Sequence, residues 1–252
     1  MKLGIIQSRG LGDIVIAIPI AGYYHKQGWE IHWPICREFI SNFEHHVPWI
    51  NWHPVDTDAR GSFFLEQPRQ ILMDEKVDEE LPLYQALTGE QFHETNYFQH
   101  TKFDQYKYQR AGVPFTEKWR LMEYITRNQD RENALYRDIC QRAGEHYTLI
   151  HTKGSDHEAA FDLNILNPEW PAVEITDITL SIFDWITSID RAECVIMTDS
   201  VMSNMTDQLN LNTEQGRYLI PRSHIGLTPV LGQYWNWIDN LRLDPRHKTI
   251  RV

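Results

Sequence analysis

The chain has 252 residues, a formal net charge of −11, 42% hydrophobic residues and 23% charged residues. That length suffices for one large domain or two small ones with a sizeable core. The acidic balance disfavours a general affinity for nucleic acid or anionic membranes, and no apolar run reaches the roughly 18 residues of a transmembrane helix.

The predicted elements follow in chain order. KLGIIQ reads as a short buried strand, and GDIVIAIPIAGYYHKQG as a helix stopped at Gly28, with Pro19 setting a kink or a later start. EIHWPI (30–35) is the next strand, ICREFISNF a short helix and WINWHPVD (49–56) a third strand. This β-α-β-α-β spacing is that of a parallel sheet. The middle, 57–145, is less regular. There DEELPLYQALTGE, TKFDQYKYQRAGV and ENALYRDICQRAGE read as helices, the last stopped at Gly144. A second βα series follows: strands HYTLIHTKG, AVEITDI, ECVIMTDS and GRYLIPR, with helices LSIFDWITSIDRA, SVMSNMTDQLNL and PVLGQYWNWIDNL. Trp235 and Trp237 fall in this last helix, one expected to pack and the other to cover a cleft between the halves. The fold class expected is α/β, with two Rossmann-like parallel-sheet domains facing across that cleft. The boundary is expected near Glu145, giving domains 1–145 and 146–252.

Cys36, Cys140 and Cys194 are odd in number and far apart, with no metal-ligand spacing, which points to a reducing compartment. The apolar stretch at the N-terminus is too short for a signal peptide. A cytoplasmic location is therefore expected, and the sequon Asn204-Met205-Thr206 then carries no glycan.

In open parallel sheets, ligands bind beyond the carboxyl ends of the strands. Two segments fall there. Ser8–Asp13 lacks GxGxxG and GxxxxGK[ST], so neither a dinucleotide site nor a P-loop is indicated. Gly10 and Gly12 allow close approach of backbone to a ligand. Asp13 alone reads equally as a first-turn acid favoured by the helix dipole. In Thr198–Asn204, Asp199 and Ser200 end a strand and open a helix, whose free N–H groups suit a phosphate.

Together the two segments resemble the GT-B glycosyltransferases of the ADP-heptose:LPS heptosyltransferase type (glycosyltransferase family 9), which transfer a sugar from a nucleotide sugar. L-G-D-I-V-I-A-I-P at 11–19 is similar to that family's first loop. D-S-V-M-S-N-M-T at 199–206 matches its D-[ST]-G-x-x-H-[LI]-[AT] motif in part, and IDRAECVIM and YTLIHTKGSD occupy the neighbouring positions. The resemblance implies that Asp13 is the general base for the acceptor hydroxyl, with Ser8, Gly10 and Gly12 forming the acceptor loop. It implies a donor site of Thr152, Lys153, Asp199, Ser200, Met202 and Asn204. Lys153 would neutralise the leaving diphosphate. Arg222, together with His224, follows a strand end and can meet phosphate. Transfer is expected to be inverting and metal-independent, with no cofactor beyond the nucleotide-sugar co-substrate. The acceptor is expected to be a glycan or a small molecule. Val201 stands where the family has glycine and Asn204 where it has histidine.

Three other patterns compete. Asp56-Thr57-Asp58 is a D-x-D of the kind that holds a metal in other transferases. His45, His46 and His53, or His151 and His157, can ligate metal but lack a ligand spacing, and surface or core roles are expected for them. Lys102, Lys107, Arg110, Lys118 and Arg120 form the only basic-leaning stretch, interleaved with aromatics. Two alternatives follow: a non-catalytic sugar or nucleotide-binding protein on the same scaffold, and a phage-type transferase acting on modified DNA bases.

Overall fold

The computed structural model describes residues 1–84, 102–154, 158, 170–176, 179–212, 214–220, 230–232, 234–237 and 250–251. The chain divides into two compact units, Met1–Thr126 and Arg127–Val252.

The first unit is built on a four-stranded parallel sheet of order β3-β2-β1-β4, with β1 Lys2–Ile6, β2 Glu30–Cys36, β3 Ile50–Val55 and β4 Glu79–Pro82. Leu3, Ile5, Ile6, Ile31, Trp33 and Ile35 are buried, as central strands covered on both faces require. Helix α1, Leu11–Lys26, is buried without a break from Ile14 to Gly22, so it is apolar all round rather than amphipathic. It accommodates Pro19 in its interior. A side chain at Gly22 would meet the Tyr124 ring at 2.1 Å, so glycine sets the close packing of α1 on the segment that ends at Tyr124. The short α2 (Ile40–Phe43) follows β2, and α3 (Glu66–Asp74) precedes β4. Helix α4, Phe103–Ala111, ends at Gly112 (φ 63) and ties to α1 through the Tyr108 hydroxyl, which donates to the Ile16 carbonyl (3.0 Å).

The second unit opens with α5, Gln129–Ala143, capped by Asn128 Oδ1, which accepts from the Arg131 amide (3.1 Å). The described residues of this unit form a six-stranded parallel sheet of order β10-β6-β5-β7-β8-β9: β5 Thr148–His151, β6 Ala172–Glu174, β7 Cys194–Thr198, β8 Gly216–Ile220, β9 Trp235–Trp237 and β10 Ile250–Arg251. Helices α6, Ile186–Arg191, and α7, Val201–Leu209, flank β7 in sequence. The break between the units falls one helix before the expected Glu145. Helix α5 belongs with the second unit because its charges are spent there: Glu132, fully buried, pairs with Arg127 and accepts from Thr187, and Arg131 pairs with Asp184.

Two expected helices are corrected. Glu79–Pro82, read within a helix, is β4, which closes the second side of β1 and buries Leu81. Trp235–Trp237, read within a C-terminal helix, pairs in parallel with Arg217–Leu219 of β8. Trp235 is buried and its indole N–H donates to Asp207 Oδ1 (3.0 Å). Residues 85–90 and 238–241 of those expected helices lie outside the described residues. Among the described residues, no helix is long and apolar enough to cross a membrane.

Candidate functional site

The loop after β1 is the most elaborately fixed part of the first unit. Gln7 and Ser8 are buried, and the Trp33 indole N–H donates to the Gln7 carbonyl (3.1 Å). The Cys36 amide donates to the Ser8 carbonyl (2.8 Å), and the Ser8 hydroxyl donates to the Phe63 carbonyl. Tyr84 Oη lies 3.2 Å from Ser8 Oγ and accepts from the Arg9 amide (2.7 Å). Burial pushes the Tyr84 phenol up to about 12, so it stays protonated at neutral pH. Gly10 then turns the chain at φ 84 into α1, close against Asp13: a Cβ on Gly10 would lie 2.5 Å from Asp13 Oδ2. Gly12 is half-buried in the first turn of α1.

Asp13 is held from beneath by Lys107, whose Nζ lies 3.1 Å from Asp13 Oδ1. Lys107 comes from α4, is buried, and also donates to Gln7 Oε1 (2.6 Å) and the Leu83 carbonyl (3.3 Å). An ammonium has three protons to give, and a buried one must give them all. Lys107 gives two of them to Gln7 and Leu83 and adds an ion pair with Asp13. The Asp13 side chain keeps 37% of its surface open to solvent. The result is a carboxylate with one oxygen fixed on a buried cation and a face left for a ligand, the arrangement a proton acceptor for a hydroxyl needs. Lys107 was legible only as a member of the basic stretch; its partnership with Asp13 was not.

In the second unit, the corresponding turn joins β7 to α7. The Asp199 amide donates to the Ile220 carbonyl (3.2 Å), and Ser200 is the extended residue before the helix. Ser200 Oγ shares a hydrogen bond with His151 Nδ1 (3.0 Å) at the end of β5. Strands β5 and β7 are neighbours, with His151 opposite Met197, so this pairing follows from the sheet register. The Ser200 amide donates to Ser203 Oγ (3.0 Å), and Asn204 Nδ2 donates to the Ser200 carbonyl (2.8 Å). Asn204 Oδ1 finds no hydrogen-bond partner among the described residues. Asp199, Ser200, Met202 and Asn204 are all buried. Thr152 is half-buried just past β5, and Lys153 is exposed, its backbone paired with Glu158 in an isolated antiparallel β-bridge. Thus Asp199, Ser200, Thr152 and the unforeseen His151 share the carboxyl edge of the second sheet. Arg222, His224 and His157 lie outside the described residues.

The competing patterns resolve otherwise. Asp56 is paired with Arg37 (2.8 Å), which holds its carboxyl below the usual range. Asp58 closes the turn to Ser62, accepting from the Arg60 and Ser62 amides (3.0 Å each) and the Ser62 hydroxyl, which lowers its pKa too. Each carboxylate of the D-x-D is thus engaged by protein donors. Three of the five residues of the basic stretch are spent in ion pairs: Lys107 is buried on Asp13, Lys118 is fully buried 2.8 Å from Asp104, and Arg120 pairs with Glu117 and Glu123. Arg110 is exposed and Lys102 half-buried. His46 is buried with Nδ1 on the Thr126 carbonyl (2.9 Å) and His45 is exposed, so the two do not join His53. His53 faces His32 and Glu75 instead. Burial is the largest influence on His53 and lowers its pKa, with Glu75 pulling upward and His32 and Lys2 downward.

No protein-family model and no curated protein matches the chain. Solved structures do. Escherichia coli heptosyltransferase WaaC with ADP-2-deoxy-2-fluoro heptose superposes with a TM-score of 0.55 at 12% identity, covering 94% of this chain and 93% of that one. A family 9 glycosyl transferase from Veillonella parvula gives a TM-score of 0.56 at 10% identity, covering 95% and 86%. E. coli ADP-heptose lps heptosyltransferase II gives 0.52 at 12% identity, covering 94% and 90%. At such identities the likeness is one of fold, and it spans nearly the whole chain: two α/β units on parallel sheets, in the GT-B fold of the heptosyltransferase-type glycosyltransferases.

Proposed function

We infer that this chain transfers a sugar from a nucleotide-sugar donor to an acceptor hydroxyl, inverting the anomeric centre and needing no metal. The observation that carries the reading is the Asp13 carboxylate, fixed on buried Lys107 and partly open at the carboxyl end of β1. In this reading the acceptor, a glycan or small molecule, binds the first unit. Asp13 takes the proton from its hydroxyl as the oxygen attacks the anomeric carbon. The bond from that carbon to the diphosphate breaks, and the nucleoside diphosphate leaves with its electron pair. The donor binds the second unit at Thr152, Lys153, Asp199 and Ser200, where the first turn of α7 and the Ser200 hydroxyl stabilise the departing diphosphate. His151, which holds the Ser200 hydroxyl, joins this set as a positioning residue. Met202, buried beneath the turn, and Arg222 complete the donor assignment. The neighbours solved with ADP and an ADP-heptose analogue place ADP first among the nucleotides to try. Three free thiols support a reducing, cytoplasmic setting.

A second reading is favoured by one observation: Asn204, in the family's histidine position, folds its amide back onto Ser200 and offers a diphosphate no charge. On that reading the chain binds a sugar or nucleotide without turnover. A thermal-shift panel of ADP, UDP, GDP, CDP and dTDP, first without metal and then with Mn²⁺, followed by the sugar conjugate of whichever responds, separates the two. A ligand that binds only the folded state raises its melting temperature. Metal-free stabilisation by one nucleotide, with release of that diphosphate from its sugar conjugate, supports transfer. Stabilisation with no release supports the binding protein, and a strict need for Mn²⁺ overturns metal independence.

A further inference from the structure

The first sheet carries a second group of chemistry-bearing side chains, on β2, β3 and the end of α3. His32 of β2 is opposite Gly4 of β1 in register, well back from the Ser8–Asp13 loop. His53 stands on the adjacent β3, and Glu75 ends α3, which packs over this face of the sheet. The end of α3 is well defined: Lys76 takes a left-handed φ of 54° and the Val77 amide donates to the Leu72 carbonyl (3.2 Å). One ligand atom each from His32, His53 and Glu75 lies within 4.8 Å of the others.

With both imidazoles neutral, the cluster turns acceptors toward one another. Glu30 Oε1 lies 3.0 Å from His32 Nε2, and a carboxylate accepts only, so Nε2 carries the hydrogen. His32 Nδ1 then presents a lone pair to His53 Nε2 at 3.1 Å and to Glu75 Oε2 at 3.7 Å. If His53 Nε2 donates its hydrogen to that lone pair, His53 Nδ1 is left as a lone pair facing Glu75 Oε1 at 3.8 Å. Either way acceptor meets acceptor, beside an imidazole that is 4% exposed. Lys2 Nζ donates to the Glu75 backbone carbonyl (3.1 Å).

We propose that His32, His53 and Glu75 bind one divalent transition-metal ion of the zinc type, with Glu30 as the outer partner of His32. A tetrahedral ion with bonds of about 2.0–2.1 Å sets its ligands about 3.3–3.5 Å apart; one ligand atom from each of the three side chains lies within 4.8 Å of the others, so a small inward rotation closes the site. Two imidazoles and one carboxylate select zinc or cobalt over magnesium and calcium. The Glu30–His32 contact is the carboxylate–histidine arrangement that orients metal-bound imidazoles. Three protein ligands leave one position for water. The ion would staple the end of α3 to β2 and β3, a structural role separate from Asp13.

The test uses the full chain, stripped with a chelator and titrated with Zn²⁺ by calorimetry and with Co²⁺ by visible absorption. One saturable site is expected, with a Zn²⁺-dependent rise in melting temperature and no response to Mg²⁺. His53→Gln and Glu75→Gln alter partly exposed side chains, so both variants are expected to fold. Each should bind Zn²⁺ at least about 10-fold more weakly and lose the thermal response. Glu30→Gln should weaken binding roughly 10- to 100-fold, and His45→Ala should change nothing. Absence of saturable Zn²⁺ binding in the unaltered chain, or equal affinity in His53→Gln and Glu75→Gln, overturns the proposal.

Discussion

The turns after β1 and after β7 occupy equivalent places, each leading from the carboxyl end of a central parallel strand into a buried helix. They are built by different chemistry. The first uses a glycine at positive φ to press the backbone against Asp13 and a buried lysine to hold the carboxylate. The second contains no glycine. It folds its polar groups onto itself, Ser203 and Asn204 both bonding to Ser200, and reaches the neighbouring strands through the Ser200 hydroxyl at His151 and the Asp199 amide at Ile220. A turn that aims one charged group outward needs support from far along the chain, whereas a turn meant to present backbone N–H groups can be satisfied locally. The first turn is therefore the sensitive one.

The largest expected effect breaks the comparison at its charged end. Asp13→Asn keeps the shape and removes the proton acceptor, so kcat should fall about 10²- to 10⁴-fold, while the nucleotide-induced thermal shift is unchanged. An unchanged kcat would remove Asp13 from the chemistry. Next, Gly10→Ala forces a side chain into positive φ and against Asp13 Oδ2, and should cost about 1–3 kcal/mol of stability together with a drop in turnover. Urea unfolding measures the first. Ser200→Ala deletes one neutral hydrogen bond, at about 0.5–1.5 kcal/mol. It should weaken nucleotide binding more than it lowers kcat, and a variant that loses turnover at full affinity would reverse the ranking of the two turns.

The smallest effect lies at the far end of α1, where Lys26 meets Glu123 at 2.8 Å. Hydrogen bonds from Arg120 and then Lys26 lower the Glu123 pKa from 4.5 to about 2. A lowered carboxylate pKa adds stability that is complete above 4.5 and is lost as pH falls toward 2. The group is exposed, so the gain is small and salt-sensitive. Melting curves of the unaltered chain and Glu123→Gln should converge across that interval, and at high salt they should differ little at any pH.

The strands that form the sheet centres were legible because they are continuous runs such as LGII, IHWPI, TLIH and CVIMT, the mark of strands buried on both faces. Edge elements were not. β4 has only Leu81 turned into the core, and its strand state comes from the open side of β1 rather than from its own residues. WNW in β9 fits a helix or a strand equally until Asp207 is seen to take the Trp235 indole. At the candidate site, Asp13 and Ser200 were readable from position, since each opens a helix after an apolar strand. Lys107 and His151 were not, because a sequence displays charge and polarity but not burial or which strands lie side by side. For the same reason Lys107 and Lys118 read as a basic surface when both are interior.

The unbroken burial of Ile14–Gly22 has a kinetic meaning. Amide hydrogens exchange with solvent only when their segment opens, and a helix with no exposed side opens only when the whole unit does. The amides of Ile14–Gly22 should be among the last to take up deuterium. The turn of helix directly behind Asp13 would then have the same lifetime as the fold itself, giving the half-exposed carboxylate a footing that persists from one encounter to the next.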